Sequence, residues 1–296
     1  MKWKPDLRIG MWVGSGIILA ILLVDAGLLL RTIYGPLNGV SFVCALLVLL
    51  SLLAIGAVGY RIYDLRKLRY EFDRNQLTIV TAASNQIVPM DRIQQVIEGR
   101  DAKLQKRMLS LTWPGCFIGR GQIQEIGLTL FYAATPLSGQ AIVVTPTLAY
   151  GISVPDMEAF MEVFNANRRI GSSTEVVQES HRAAYTRWHI WTDHLAHGIL
   201  LGSIVLNLAL FAILCFRYPR LAHLLPLHYD LTGRVDRIAP RSQVFALPII
   251  GLITWAANGV LGTALYRRER VASYLAWGGA LLVQILFLLA LWNIVS

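Results

Sequence analysis

Five apolar stretches constrain this chain more than any other feature of its sequence. A helix needs about 20 apolar residues to cross the hydrocarbon core of a bilayer, and each of the five stretches is long enough. Only 15% of the residues are charged, against about 25% in soluble domains. The sequence therefore predicts a polytopic membrane protein whose transmembrane helices cover approximately residues 10–30, 38–60, 195–216, 243–266 and 272–294.

The basic residues beside these stretches predict an orientation. Lysine and arginine are more frequent at the N-terminus, at the two ends of segment 61–194 and near residues 267–270 than in the loop at 217–242. Cytoplasmic flanks of membrane helices carry this excess. We therefore expect the N-terminus and residues 61–194 in the cytoplasm and the C-terminus outside.

The net charge of +9 has two interpretations, nucleic-acid binding or attraction to anionic lipid. No basic run is interleaved with stacking aromatic residues, as a nucleic-acid surface would require. Basic flanks that meet anionic lipid account for the charge of a membrane protein. The sequence therefore predicts the lipid bilayer as a partner and no nucleic acid.

Residues 61–170 follow a different pattern from the apolar stretches. Short β-branched and aromatic segments such as QLTIVTA and GLTLFYAATP alternate with Asn, Gly, Ser and Pro, which is typical of antiparallel strands. The period then changes, because Met157, Phe160, Met161 and Phe164 share one helical face, and Ser153 is the expected cap of that helix. We predict an α+β membrane protein with an inserted β-sandwich or barrel that one C-terminal helix caps.

These patterns divide the chain into four parts. The first part is two transmembrane helices and the second is the cytoplasmic β-domain. A linker with the start of an interfacial helix comes next, and three transmembrane helices with an outer loop at 217–242 complete the chain. The predicted boundaries are 1–60, 61–170, 171–194 and 195–296.

The β-domain resembles the bacterial pleckstrin-homology-like domain over about residues 60–168. The resemblance is carried by the order of strands before a single helix and by a turn with the pattern hydrophobic-Pro-hydrophobic-Asp-x-Ile. In this chain that turn is Val88, Pro89, Met90, Asp91, Arg92 and Ile93. The resemblance implies a bent β-sandwich capped by the 154–166 helix, and a role in binding or assembly instead of catalysis.

A second resemblance lies in LPLHYDLTGRVDR, residues 225–237. The pattern L-P-x-H-[aromatic]-x-x-x-G-x-x-D between membrane spans is similar to a small bacterial membrane domain of unknown function. That domain also occurs in immunity and signal-transduction proteins of a toxin-sensing system. The resemblance covers about residues 195–295 and implies an outward loop between membrane helices, without a reaction.

Two groups of residues are candidates for binding. The 225–237 loop is either a hairpin-like connection or a recognition surface, since ordered loops serve both purposes. Basic residues of the β-domain form either an anionic phospholipid site or an ordinary solvated face. The loop candidates are His228, Tyr229, Asp230, Gly233, Asp236 and Arg237, and the basic candidates are Arg92, Arg107 and Arg120.

A metal site is a weaker hypothesis. His189, Asp193 and His197 are four residues apart and would share one face of a helix, and their nitrogen and oxygen donors suit zinc. The alternative is the start of an interfacial helix, because Trp188 and Trp191 belong at headgroup depth. We predict no metal and no other cofactor.

The expected function is non-catalytic. The chain is predicted to act as a scaffold, an accessory or assembly subunit, or a sensor, with a protein partner or a second copy of itself and with anionic phospholipid as a further partner. The alternative is a transporter or a membrane-embedded metal-dependent enzyme. That alternative would use the His189–His197 face or Asp25, the one acidic residue within an apolar stretch.

Overall fold

The computed structural model describes residues 2–107, 110–170, 179–182, 189–229 and 235–295. Within them, five helices are long and apolar enough to cross a membrane, as the sequence predicts. They are α1 (Arg8–Tyr34), α2 (Gly39–Lys67), α4 (His194–Arg217), α5 (Ala246–Leu265) and α6 (Arg270–Val295), and a shorter helix, α3 (Met157–Ile170), precedes α4.

The helices α1 and α2 are shared between two compact units. Unit 1 consists of Met1–Val24 with Ser51–Arg187, and unit 2 consists of Asp25–Leu50 with Trp188–Ser296. The boundary predicted at residue 60 falls inside α2, which continues to Lys67. The β-domain is therefore built together with parts of α1 and α2 and does not begin after them.

Unit 1 contains two sheets. The first has five antiparallel strands in the order β1-β2-β3-β4-β11: β1 (Lys2–Trp3), β2 (Arg69–Phe72), β3 (Gln76–Val80), β4 (Ser84–Pro89) and β11 (Glu179–Arg182). The second has the order β5-β9-β10-β8-β7-β6: β5 (Gln95–Glu98), β6 (Leu104–Arg107), β7 (Phe117–Ile123), β8 (Gly127–Ala133), β9 (Ala141–Val144) and β10 (Ala149–Ile152). Only the β8–β10 pair of these described strands is parallel.

Both sheets contribute to one hydrophobic core. Alternate strand residues point to the same face of a sheet, so Leu77 and Ile79 of β3 meet Tyr150 and Ile152 of β10 in this core. The hydroxyl of Tyr70 donates to the carbonyl oxygen of Tyr132 at 2.6 Å and accepts the N–H of Ser153 at 3.0 Å. The predicted α+β fold with an inserted β-domain is confirmed, and the parallel β8–β10 pair departs from the antiparallel pairing that the strand pattern predicts.

The helix α3 caps this core, as its spacing predicts. Phe160 and Phe164 are buried in the core, and the ring of Phe160 packs edge-on against Phe72 at a centroid distance of 5.6 Å. The predicted cap was wrong in one detail. Asp156, not Ser153, caps α3, because its carboxylate accepts the N–H of Ala159 at 3.0 Å.

Ser153 has a different role because it lies at the end of β10. Its hydroxyl accepts the backbone N–H groups of Ala134 and Thr135 at 3.0 and 2.9 Å. It therefore satisfies donors at the end of β8 that would otherwise be unpaired within the core.

A tight turn joins the β-domain to the start of α1. Trp113 and Cys116 exchange two backbone hydrogen bonds around Pro114 and Gly115, and Gly115 has a φ of +87°, which glycine adopts without steric cost. The indole of Trp113 donates to the carbonyl oxygen of Gly10 at 2.8 Å. A Cβ on Gly10 would lie 2.2 Å from the Gly115 oxygen, so this approach requires glycine.

The end of α2 is joined to the same domain. The carboxylate of Asp64 is 2% exposed and accepts the N–H groups of Ala82 and Ala83 at 2.9 and 3.2 Å, in the turn between β3 and β4. Leu65 of α2 is fully buried in the core of the sheets. We call the Trp113–Gly10 and Asp64–Ala82 contacts together the membrane junction.

Unit 2 contains the bundle of α4, α5 and α6. Hydrogen bonds of polar side chains connect these helices. The amide of Asn207 donates to the carbonyl oxygen of Pro248 at 2.9 Å and to Gln284 at 3.0 Å. Gln284 in turn donates to the carbonyl oxygen of Gly251 at 2.7 Å. Hydrogen bonds of this kind contribute about 1 kcal/mol each between membrane helices, so these polar residues stabilise the bundle.

The capping role of α3 gives a first prediction. Replacing a buried Phe by Ala removes packing and leaves a cavity, which costs about 3–5 kcal/mol. We expect Phe160→Ala to lower the thermal midpoint of the detergent-purified chain, and Asn165→Ala, on the exposed side of the same helix, to leave it nearly unchanged. Equal midpoints for the two variants would show that α3 does not stabilise the sandwich.

Candidate functional site

A cleft of about 500 Å³ lies in unit 1 between the end of α2 and the two sheets. One side is formed by α2 and β4, and the other by β7 and β8. Its polar lining is Arg61, Asp64, Thr81, Ser84, Gln86, Arg120 and Tyr132, and its apolar lining includes Ile118, Leu128, Leu130 and Leu148. We call it the α2 cleft.

The period of the strands places these side chains together. Ile118 and Arg120 are two residues apart on β7, so their side chains point to the same face of the sheet. Their partners on β8 are Tyr132 and Leu130, respectively. Directly opposite residues of an antiparallel pair have their side chains on the same face. The strand pairing alone therefore puts Arg120 and Tyr132 on the face that lines the cleft.

Two guanidinium groups and one carboxylate determine the charge of the cleft. Arg61 lies 3.9 Å from Asp64, and the same carboxylate already accepts two backbone N–H groups. Arg120 is exposed. The three formal charges sum to a net positive charge, which favours an anionic ligand.

Tyr132 adds a hydrogen-bond donor. Burial raises its pKa, against a hydrogen bond with Ser84 that lowers it. The phenol is therefore protonated at neutral pH. Arginine, tyrosine and serine groups around an apolar floor are suited to bind a ligand with an anionic end and an apolar part.

The structure describes the side chains of two of the three basic candidates from the sequence. Arg120 lines the α2 cleft, whereas Arg92 is exposed in a short 3₁₀ turn between β4 and β5 and does not line it. The backbone of Arg107 in β6 is paired with Gly121 of β7, and its side chain lies outside the described residues. Only Arg120 is thus placed at the cleft.

The predicted hairpin-like loop is a two-stranded hairpin of β12 (Leu224–Tyr229) and β13 (Val235–Pro240). His228 is paired with Arg237 and Tyr229 with Val235 along the backbone, and Asp236 lies in β13. Asp230 and Gly233 fall outside the described residues, as do the side chains of 226–237. The recognition role of this loop therefore stays a prediction.

The base of the hairpin is fixed by Arg241. Its guanidinium donates to the carbonyl oxygens of Tyr218 and Leu221, both at 3.2 Å, and stands 4.5 Å from the centroid of the Tyr218 ring. Leu225 is buried in the adjacent core, while Leu224 and Ile238 are 61% and 64% exposed. At its base the hairpin thus has one buried leucine and two exposed apolar side chains.

The proposed metal face at His189, Asp193 and His197 is not formed. A 3₁₀ turn covers His189–Thr192 and α4 begins at His194, so one helix does not run through the three residues. Asp193 is the N-cap of α4 and accepts the N–H of Ala196 at 3.0 Å. Within the described residues, no three His, Cys, Asp or Glu side chains are grouped to hold a metal ion.

Asp193 instead connects the ends of three helices. The hydroxyls of Tyr266, just after α5, and Tyr274, in α6, both donate to the same carboxylate oxygen at 2.5 Å. These two bonds hold the pKa of Asp193 well below its ordinary value of 3.8, and the bond from Tyr266 has the larger effect. We call these three residues the Asp193 clamp.

Sequence reasoning missed several residues of these sites. Asp64 is the one acidic residue of α2, which was the available signal, but its partners Ala82 and Ala83 carry no signal at all. Arg61 was counted only as a flanking charge. Tyr266 and Tyr274 stand far from Asp193 in the sequence, and no spacing rule connects them.

Comparison with known families agrees with this architecture. Residues 68–167 match the family model described as "Bacterial PH domain", which confirms the first resemblance. Residues 205–252 match "Domain of unknown function (DUF1648)", a shorter range than the 195–295 expected for the second. Neither the curated proteins nor the solved structures compared with the chain gave a match.

The Asp193 clamp predicts a pH-dependent stability. The pKa of Asp193 is lower in the folded chain than in the unfolded chain. Its ionised carboxylate therefore stabilises the folded state fully at pH values above the ordinary carboxyl pKa, and this stabilisation is lost as the pH falls toward the folded pKa. We expect Asp193→Asn to lower the thermal midpoint at pH 7, and this difference from wild type to shrink below about pH 4. Tyr274→Phe, which removes one of the two phenol donors, should have a smaller effect at pH 7. A midpoint difference that does not change with pH would contradict the clamp.

Proposed function

We propose that this chain is a non-catalytic subunit of a bacterial cell membrane, whose PH domain binds a protein or lipid partner. It acts as a scaffold, an assembly subunit or a sensor. The observation that carries the proposal is the membrane junction, in which the PH domain packs directly on α1 and α2. A binding event on this domain is thereby tied to membrane helices without an intervening linker.

The geometry of the junction supports a mechanical connection. The Gly10–Gly115 approach leaves no room for even a methyl group, and Asp64 holds the β3–β4 turn through two backbone bonds. Closely packed contacts transmit displacement because they cannot deform gradually. Because these contacts involve α1 and α2 themselves, a shift at the PH domain acts directly on two membrane helices.

The α2 cleft supports binding as the role of the PH domain. Its lining combines arginines, hydroxyls and an apolar floor, and no histidine or cysteine is among its lining residues. A nucleophile needs an adjacent base and a group that orients that base. The lining residues provide groups that hold a ligand.

Two glycines of α1 offer a matched test of this function. Gly10 is packed against Gly115, whereas a Cβ on Gly16 would have nothing within 4 Å. Gly10→Ala should distort the junction and reduce the amount of partner protein that co-purifies from native membranes in mild detergent. Gly16→Ala makes the same chemical change in the same helix and should retain the partner.

The measurement is quantitative mass spectrometry of co-purified proteins per mole of chain, with monodispersity checked for each variant. If both variants retained the same amount of partner, the membrane junction would not be required for partner binding. A chain that retains no protein partner but carries stoichiometric metal would favour the alternative, a membrane-embedded metal-dependent enzyme. A chain with neither a partner nor a metal would favour a transporter.

The proposal includes an orientation, with the PH domain and N-terminus in the cytoplasm. The basic flanks support it by the positive-inside rule. In a background without the native cysteines, Ser138→Cys in the PH domain should resist a membrane-impermeant thiol reagent on intact cells, and Ala222→Cys before the hairpin should react. Both positions are exposed. Labelling of position 138 but not of position 222 would show that the chain has the opposite orientation.

A further inference from the structure

The position of the α2 cleft along α2 indicates where its ligand comes from. Residues 39–60 of α2 carry no charged side chain, and Arg61 is the first charge that follows them. A charged residue at the end of an apolar span lies at the depth of the lipid headgroups. Because Arg61 lines the cleft, the cleft lies at that depth as well.

The charges of the cleft favour a ligand that carries a single negative charge. Asp64 is committed to two backbone N–H groups and to Arg61, so it neutralises one of the two guanidinium groups. Arg120 supplies the second cation and is exposed at the cleft. Arginine binds phosphate oxygens through two parallel N–H donors, and a phosphodiester carries one negative charge.

The rest of the lining fits the parts of a lipid that adjoin the phosphate. The hydroxyl of Tyr132 and the polar residues of the 81–86 segment surround the charged groups. Leu130 and Leu148 provide an apolar floor, and Leu128 is 42% exposed. A ligand with a phosphodiester, a polar headgroup and acyl chains presents these same three chemistries together.

We propose that the α2 cleft binds the phosphodiester headgroup of an anionic phospholipid from the adjacent leaflet, with Arg120 and Arg61 as its phosphate ligands. This inference rests on the proposed binding function of the PH domain and names its ligand class. The lipid links the PH domain to the bilayer at the end of α2. The packing of the membrane junction therefore depends on the negative charge of the bound lipid.

The test uses the full chain in neutral detergent and follows its thermal midpoint during titration. The added probes are short-chain phosphatidylglycerol, short-chain phosphatidylcholine, inorganic phosphate and an acidic peptide. Phosphatidylglycerol is expected to raise the midpoint saturably, and phosphatidylcholine, phosphate and peptide to have little effect at the same concentration. Phosphatidylcholine controls for acyl chains, while phosphate controls for a soluble anion as the source of the charge.

Two arginines of the PH domain provide a matched pair of variants. Arg120→Gln should weaken the apparent affinity for phosphatidylglycerol about tenfold, as expected for loss of a hydrogen bond between charged groups. Arg92→Gln removes the same charge from an exposed position outside the cleft and should leave the affinity unchanged. Both variants should keep the midpoint of the lipid-free chain, because both side chains are exposed.

Each other outcome contradicts the inference. Equal losses of affinity in the two variants would mean diffuse attraction to a basic surface, and an effect of phosphate or peptide equal to that of phosphatidylglycerol would assign the cleft to a soluble ligand. If phosphatidylglycerol has no effect while a protein partner still co-purifies, the lipid ligand is wrong and the proposed scaffold function stands. If the partner is also absent, both are wrong.

Discussion

The close approach of two backbones at Gly10 and Gly115 is the contact on which the arrangement of unit 1 depends. It brings the first turn of α1 against a turn of the PH domain and allows the Trp113 indole to pair with the Gly10 carbonyl. A backbone carbonyl in the first turn of a helix already accepts a bond within that helix, and its second lone pair is free for the indole. The contact therefore fixes the domain on α1 without weakening the helix.

A second constraint acts at the C-terminal end of α2, which packs on the same domain. Burying a carboxylate in a low-dielectric core is unfavourable unless it is hydrogen-bonded, and Asp64 meets this condition through the N–H groups of Ala82 and Ala83. Those bonds order the β3–β4 turn and place β4 beside the α2 cleft. The polar residue that secures the fold thus also shapes the candidate binding site, so that substitution of Asp64 would disturb both.

Polar contacts in unit 2 follow the same logic. Asn207 donates to Gln284 and to one backbone carbonyl, and Gln284 donates to a second backbone carbonyl. At the helix ends, Asp193 accepts hydrogen bonds from two tyrosine hydroxyls. In a bilayer the hydrophobic effect does not hold helices together, so hydrogen bonds and close packing do so. Asn207 and Gln284 thus contribute to the packing of the bundle.

The length of the apolar stretches determined the five apolar helices, because a helix needs about 20 apolar residues to cross a bilayer. Periodicity determined the strands of the PH domain and the α3 face with Phe160 and Phe164, because burial imposes a repeat on neighbouring residues. The sequence also offered a hairpin-like connection as one interpretation of residues 225–237, and the β12–β13 hairpin agrees with it. Tertiary structure alone decided that Arg120 and not Arg92 lines a cleft with Arg61, and that Asp193 meets Tyr266 and Tyr274 instead of two histidines. Asp193 and Tyr274 are 81 positions apart, and local patterns carry no information about which distant strand or helix end supplies the partner. Packing of whole elements selects it.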